Sequence, residues 1–268
     1  DLRRVTGPFN LSINQECGVL VAGFKHPPVV MTPHNRPWYG PRVEAHGYRG
    51  ATDLLAYWIS TDFPHPPSMR AVLRRYERRV RVRPLKARRR RAELEVLRSL
   101  FNDAWAENWG FVPFTEAEFE DLGRMLRFLV PESFVQIAEL DGEPAAFIVG
   151  MPDLNQAIRG LDGRLLPFGW ARLWRRLRGA RQGRVPLMGV RRSCQDGPLG
   201  AALALRVIAA LQVEVCRRGM TAMELSWILE GNTGMRGILE SIGGVPYKRY
   251  RLYEKALPPS GGGAPVSP

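Results

Sequence analysis

The sequence predicts an α/β fold: a mixed twisted sheet flanked by helices and preceded by a partial lobe of the same kind. Three observations lead there. Residues 185–190 form a short apolar run with β-branched ends, followed by a polar turn, a long apolar run over 199–218, and a second strand-like run over 221–229. That order is strand, Gly-containing turn, helix, strand, a crossover unit that gathers backbone N–H groups where its helix starts. Upstream, residues 134–140 and 144–151 flank Asp141-Gly142, a dipeptide suited to a tight hairpin. Finally, Asn35 precedes Gly47 much as Asn232 precedes Gly243, and an aromatic-rich strand follows each, a faint internal repeat.

The rest of the chain fits between these landmarks. Residues 1–62 read as turns and strands, with strand-like runs at 9–13, 18–24, 29–32 and 51–60 punctuated by Pro27-Pro28, Pro33 and Pro37. They are expected to be the back half of a first lobe. Residues 63–79 make a proline-containing linker and a short basic helix. Residues 80–83 alternate like a first strand, and a helix opens at Arg88 with Leu94, Leu97, Leu100, Phe101 and Trp105 as its apolar stripe. Thr115 and Glu118 form a capping box for a second helix. After the crossover unit, Asn232 caps a helix that Gly243-Gly244 stops, and 245–257 has strand preference. The second lobe thus spans 80–257, with a disordered tail expected over 258–268.

The segment from 185 to 255 resembles the C-terminal half of a GNAT (GCN5-related N-acetyltransferase) domain. The resemblance rests on Gln195-Asp196-Gly197-Pro198-Leu199-Gly200-Ala201 in place of a pyrophosphate loop, and on Trp227-Ile228-Leu229-Glu230-Gly231-Asn232 through Gly243-Gly244. With the Tyr-Lys-x-Tyr-Arg-x-Tyr-Glu-Lys ending, it is similar to bacterial tandem GNAT-like proteins. The resemblance implies an N-acetyltransferase that uses acetyl-CoA or another acyl-CoA as co-substrate and binds no metal. The acyl-CoA would lie where the strands 186–190 and 221–229 splay. Its pantetheine would pair along Met188, Gly189 and Val190, and its pyrophosphate would rest on backbone N–H groups from Gln195 to Ala201, among them Gly197, Leu199 and Gly200, with Asp196 and Asn232 beside it. A backbone N–H near Val190 would steady the oxyanion. A small-molecule or peptide amine is the implied acceptor.

Such a transfer needs a general base. Glu224 and Ser226 share one face of their strand, with Trp227 expected opposite, and Glu230 sits at the strand's mouth; Glu230 and Glu224 are the candidate bases. The resemblance implies a tyrosine acid in the Asn-led helix, where Leu239 stands instead, so Tyr247 or Tyr250 is the candidate acid. Pro198 has no N–H and stands where the family usually has glycine. With Leu239, it favours the alternative of a non-catalytic GNAT-like module that binds a ligand or protein.

Composition sets limits on other classes. The chain has 268 residues and a formal charge of +13, but 35 of its 39 basic residues are arginines, a skew that genome composition alone produces, so nucleic-acid binding is disfavoured. Cys17, Cys194 and Cys216 are too scattered for a disulfide framework or zinc site, and the four histidines lack metal-ligand spacing, so a reducing cytoplasm is expected. No uninterrupted run of eighteen apolar residues is present, and the opening Asp1-Leu2-Arg3-Arg4 reads as a trimmed start rather than a secretory leader. Between the hairpin and residue 185 lies an insertion whose residues 165–178 set Leu166, Trp170, Leu173, Trp174 and Leu177 against arginines. Three readings stay open for it: a helix packed between lobes, a lid over a groove, or a peripheral membrane contact.

Overall fold

The structure, a computed structural model, describes residues 2–258; the tail expected from 258 onward falls, apart from its first residue, outside them. The N-terminal segment contributes β1 (Arg4–Gly7), β2 (Phe9–Asn10), β3 (Ser12–Cys17), β4 (Val19–Ala22), α1 (Tyr39–Ala45) and β5 (Arg49–Ser60). After α2 (Pro67–Arg75) come β6 (Val80–Pro84), α3 (Arg90–Trp105), α4 (Glu116–Leu126), β7 (Val135–Leu140) and β8 (Glu143–Pro152). The insertion holds α5 (Leu154–Ile158) and α6 (Gly169–Arg178). The chain then runs through β9 (Gln182–Val190), α7 (Arg192–Gln195), α8 (Gly197–Arg217), β10 (Ala222–Leu229), α9 (Thr233–Ser241) and β11 (Val245–Ala256).

One mixed sheet organises most of these elements, in the order β1-β11-β5-β10-β9-β8-β7-β6, with β4 also paired to β11, while β2 and β3 form a separate two-stranded sheet. Among the described residues only β9 and β10 pair in parallel, as a crossover requires. The expected hairpin is present, with positive φ at both Asp141 and Gly142, as a primed two-residue turn needs. On one face α8 buries Leu203, Val207, Ile208 and Leu211 against Ala146, Ile148, Met223 and Leu225. On the other, α3 and α4 bury Leu97, Leu100, Phe101 and Phe119 against Ile137, Phe147 and Val149. The capping box closes at the start of α4, where Thr115 Oγ1 accepts from Glu118 N–H at 3.2 Å and Glu118 accepts from Thr115 N–H at 2.9 Å. By length and a mean hydropathy of 1.8 over eighteen residues, α8 is apolar enough to cross a membrane, although Arg206 and Gln212 interrupt its run. Half of that window is buried inside the protein, where α8 is the core helix.

Two expectations for the first segment change. Residues 1–62 do not stand apart from 80–257, because β5 lies between β10 and β11 and hydrogen-bonds to both. Its run from Asp53 to Tyr57 is buried without interruption, a pattern that only a strand with neighbours on both edges and covers on both faces satisfies. Residues 29–32 are a loop rather than a strand, with Val29 and Val30 buried and Met31 at φ 59°. The Asn35 side-chain amide bridges the N–H and C=O of Leu20 at 2.7 and 3.1 Å, and α1 starts four residues later.

Candidate active site

The strands β9 and β10 pair over four rungs, the last joining Val185 to Leu225, and then part. The cause lies in two bulges just past that rung. Against β8, three steps of β9 from Arg184 to Leu187 oppose two from Met151 to Val149. Against β5, three steps of β10 from Leu225 to Ile228 oppose two from Tyr57 to Leu55. One extra residue in each neighbouring strand bends both and increases their twist, so they leave each other at the same level.

Beyond the divergence, Arg191 N–H donates to Ala145 O on β8. Backbone groups alternate sides along a strand, so those of Val190 and Met188 face away from β8, toward the gap. Their carbonyls are taken: Trp105 Nε1 donates to Met188 O at 3.0 Å, and Gln195 Nε2 donates to Val190 O at 2.8 Å. The two N–H groups on that edge remain aimed at the gap. Gly189 lies flush against α3, since a Cβ there would come within 2.8 Å of Ala104 and Phe147.

The start of α8 faces the same gap. Gly197 is at φ 72°, a conformation that favours glycine. At Gly200 a Cβ would stand 2.3 Å from Gln195 O and 2.7 Å from Cys194 O, so the turn can pack onto the helix only with glycine. Pro198 removes one N–H from the first turn, leaving those of Gly197, Leu199 and Gly200. Asp196 is exposed and forms no side-chain cap, and Ala201 begins the second turn.

Below the divergence sits a buried cluster of charge. Glu224 and Arg184 are register partners, 0% and 2% exposed, with the guanidinium 3.8 Å from the carboxylate. Ser226 Oγ donates to Glu224 at 2.6 Å, Lys248 Nζ lies 3.5 Å away, and the Tyr247 hydroxyl donates to the same carboxylate. Arg184 also donates to Ser226 Oγ at 2.9 Å and to the carbonyls of Val30 and Met31 at 2.9 and 2.8 Å. Asp153 Oδ1 accepts from Val30 N–H at 2.9 Å, and Lys248 donates to Pro27 O at 2.8 Å. These contacts hold the 27–32 loop over Glu224, and they explain why that loop is not a strand: side chains already satisfy its backbone.

Burial dominates the proton affinities. It pushes the Tyr247 phenol far above its usual range, with the Glu224 carboxylate adding to the effect, so Tyr247 remains a donor. Burial lowers Lys248 and Arg184 while Glu224 opposes both shifts, and burial raises Asp153. Burial likewise pushes the Cys17 thiol up to about 12, so it is neutral.

Solved structures share this arrangement of strands and helices. A GCN5-related N-acetyltransferase from Sphaerobacter thermophilus superposes with a TM-score of 0.52 at 20% identity, over 82% of this chain and 56% of that one. The chain has the GNAT fold. No family model matches it. Among curated proteins it is 49% identical over 257 residues to Protein YghO of Escherichia coli K12 and 43% identical over 254 residues to the Bacterial ceramide synthase of Caulobacter vibrioides. These matches cover 95% and 94% of this chain but 66% of each relative, so the chain spans about two thirds of their length.

Within this GNAT fold the expected base and acid candidates separate. Glu224 and Tyr247 are in contact. Glu230 lies apart, in a surface ion network where Arg249 pairs at 2.8 Å with both Glu230 and Asp53. Asn232 caps α9, accepting from Met235 N–H at 3.0 Å. The β10 bulge also turns Trp227 onto the Glu224 face, against the simple alternation read from the sequence, and sets its ring 4.7 Å from the Arg184 guanidinium. Its indole N–H is buried and has no acceptor among the described residues. Arg184, Lys248 and Asp153 were not singled out from the sequence, and Trp105 reads there only as part of an apolar stripe. The signal for Arg184 was a cation at the edge of an apolar strand, level with a carboxylate in the next one. No group of residues able to hold a metal occurs among the described residues.

Proposed function

We propose that the protein transfers an acyl group from acyl-CoA to an amine. The observation that carries this reading is the twin-bulge divergence of β9 and β10, which opens a gap facing a glycine-built helix start within a GNAT fold. The residues present suit such a co-substrate. The Met188 and Val190 amides form an edge along which an amide-bearing arm pairs like an added strand. Gly197, Leu199 and Gly200 offer N–H groups to a pyrophosphate, and the unpartnered Trp227 indole offers a donor near the divergence.

In the reaction, the amine nitrogen attacks the thioester carbonyl carbon and the carbon–sulfur bond breaks. Tyr247 takes a proton from the nitrogen as it passes its own to Glu224, and the reverse relay, Glu224 back to Tyr247 and Tyr247 to sulfur, protonates the departing thiolate of CoA. The Val190 N–H steadies the oxyanion. The acceptor is a long-chain amine, supported by the 43% identity to a protein named a ceramide synthase. Titration calorimetry of the protein with acetyl-CoA and with long-chain acyl-CoAs tests the reading. Micromolar binding with acylation of a long-chain amine is the expected result. Absence of binding to either class overturns it and leaves the non-catalytic module, the reading favoured by Pro198.

A further inference from the structure

Residues 154–181 hold seven arginines and a single acidic residue, Asp162, and they turn their largest apolar side chains outward. Leu166, Phe168, Trp170 and Trp174 are 81, 75, 58 and 56% exposed, and α6 buries none of its residues among the described ones. Exposed apolar side chains on a soluble surface are usually scattered singly. Here four large ones fall within nine residues, among cations. The segment is also held in place: Arg176 donates to the carbonyls of Ala157 and Arg159, Trp170 Nε1 donates to Pro167 O at 3.0 Å, and the Arg178 guanidinium lies 3.6 Å from the centre of the Trp174 ring.

We propose that this insertion docks the protein onto a bilayer containing anionic phospholipid. Tryptophan, phenylalanine and leucine enter the boundary between headgroups and acyl chains, and guanidinium groups pair with lipid phosphates at the same depth. Charge selects this occupant over a second copy of the chain, which would bring two strongly cationic faces together. The placement suits a lipid-facing role. The insertion leaves β8 beside Asp153, and Asn155 donates to Pro28 O at 3.1 Å, so the docking face adjoins the loop that covers Glu224. The inference stands on exposure and charge and does not require the acyl-transfer reading.

The test is flotation of the whole protein with vesicles of phosphatidylcholine alone and of phosphatidylcholine mixed with phosphatidylglycerol, in low and high salt. Binding to the mixed vesicles at least about tenfold tighter than to the neutral ones, and weakened by salt, is expected. The combined variant Leu166→Ser, Phe168→Ser changes exposed side chains that make none of the contacts holding the segment and should keep the parent's thermal midpoint while losing about tenfold or more in vesicle binding. Arg172→Gln with Arg175→Gln should remove much of the salt-dependent part. The proposal is overturned if the parent ignores anionic vesicles, if the apolar variant binds them equally well, or if the parent is instead a dimer that the same substitutions dissolve. Calorimetry with acyl-CoA, run on the same variants without lipid, reads the catalytic proposal separately.

Discussion

Glu224 and Arg184 face each other across the second-last rung that β9 shares with β10, and neither side chain is more than 2% exposed. Two charges withdrawn from water cost more in solvation than their mutual attraction returns unless further hydrogen bonds complete the site. Here they do, through Ser226, Tyr247 and the Val30 and Met31 carbonyls. The pair therefore ties the last shared rungs of the two strands to the loop that covers the point at which they part.

Arg184→Leu should consequently be severe. It leaves Glu224 buried with Lys248 as its remaining cation and frees the 27–32 loop, a loss of about 3–5 kcal/mol in urea unfolding. Adding Glu224→Leu should recover part of that loss, because the unpaired charge goes with it. A double variant no more stable than the single one would mean that the loop anchors, rather than the charge pair, set the cost.

Glu224→Gln and Tyr247→Phe keep shape while breaking the relay, so each should lower kcat by about a hundredfold to ten-thousandfold. Acyl-CoA affinity by calorimetry should stay within about twofold, because the proposed cofactor contacts are backbone groups. Glu230→Gln, confined to its arginine network, should change kcat by less than about threefold. A large loss at Glu230 with none at Glu224 would reverse the two assignments.

Gly200→Ala should act on the cofactor site and on the fold together. The new Cβ would stand 2.3 Å from Gln195 O, backbone that cannot yield cheaply, so the α8 start must shift. About 1–3 kcal/mol of stability should be lost, with acyl-CoA binding weakened by more than about tenfold. Equal binding by the variant would remove the α8 start from the pyrophosphate site.

Much of this was legible in the sequence, for identifiable reasons. Asp141-Gly142, the Thr115–Glu118 box and the apolar run of α8 are local signals, and each predicts its element without knowledge of the rest. The divergence of β9 and β10 was expected at its observed place. The position of Trp227 was not, because a bulge adds one residue and shifts every side chain beyond it to the other face, and nothing in Ser226-Trp227 announces that. The 27–32 loop reads as a strand by composition because its valines are buried. Its partners, Arg184 and Asp153, are more than 120 residues away, so no short-range pattern reveals them. The insertion of β5 between β10 and β11 is likewise a long-range pairing that only the sheet as a whole displays.

Acid should act on the outer ion network through Asp53. Burial alone would raise this carboxyl, but hydrogen bonds from Arg251 at 2.8 and 2.9 Å and from Arg249 at 2.8 Å outweigh it and hold its pKa below the unfolded value of 3.8. A depressed carboxylate contributes stability that is fully present above the unfolded value and is lost as pH falls through the folded one. Asp53 ties β5 to β11, so its protonation loosens the junction between the first segment and the rest of the sheet. Asp53→Asn should therefore be less stable than the parent at neutral pH, yet lose less of what remains when urea unfolding is repeated down to about pH 3. Parallel stability curves for the two proteins across that interval would show that Asp53 does not carry the acid response.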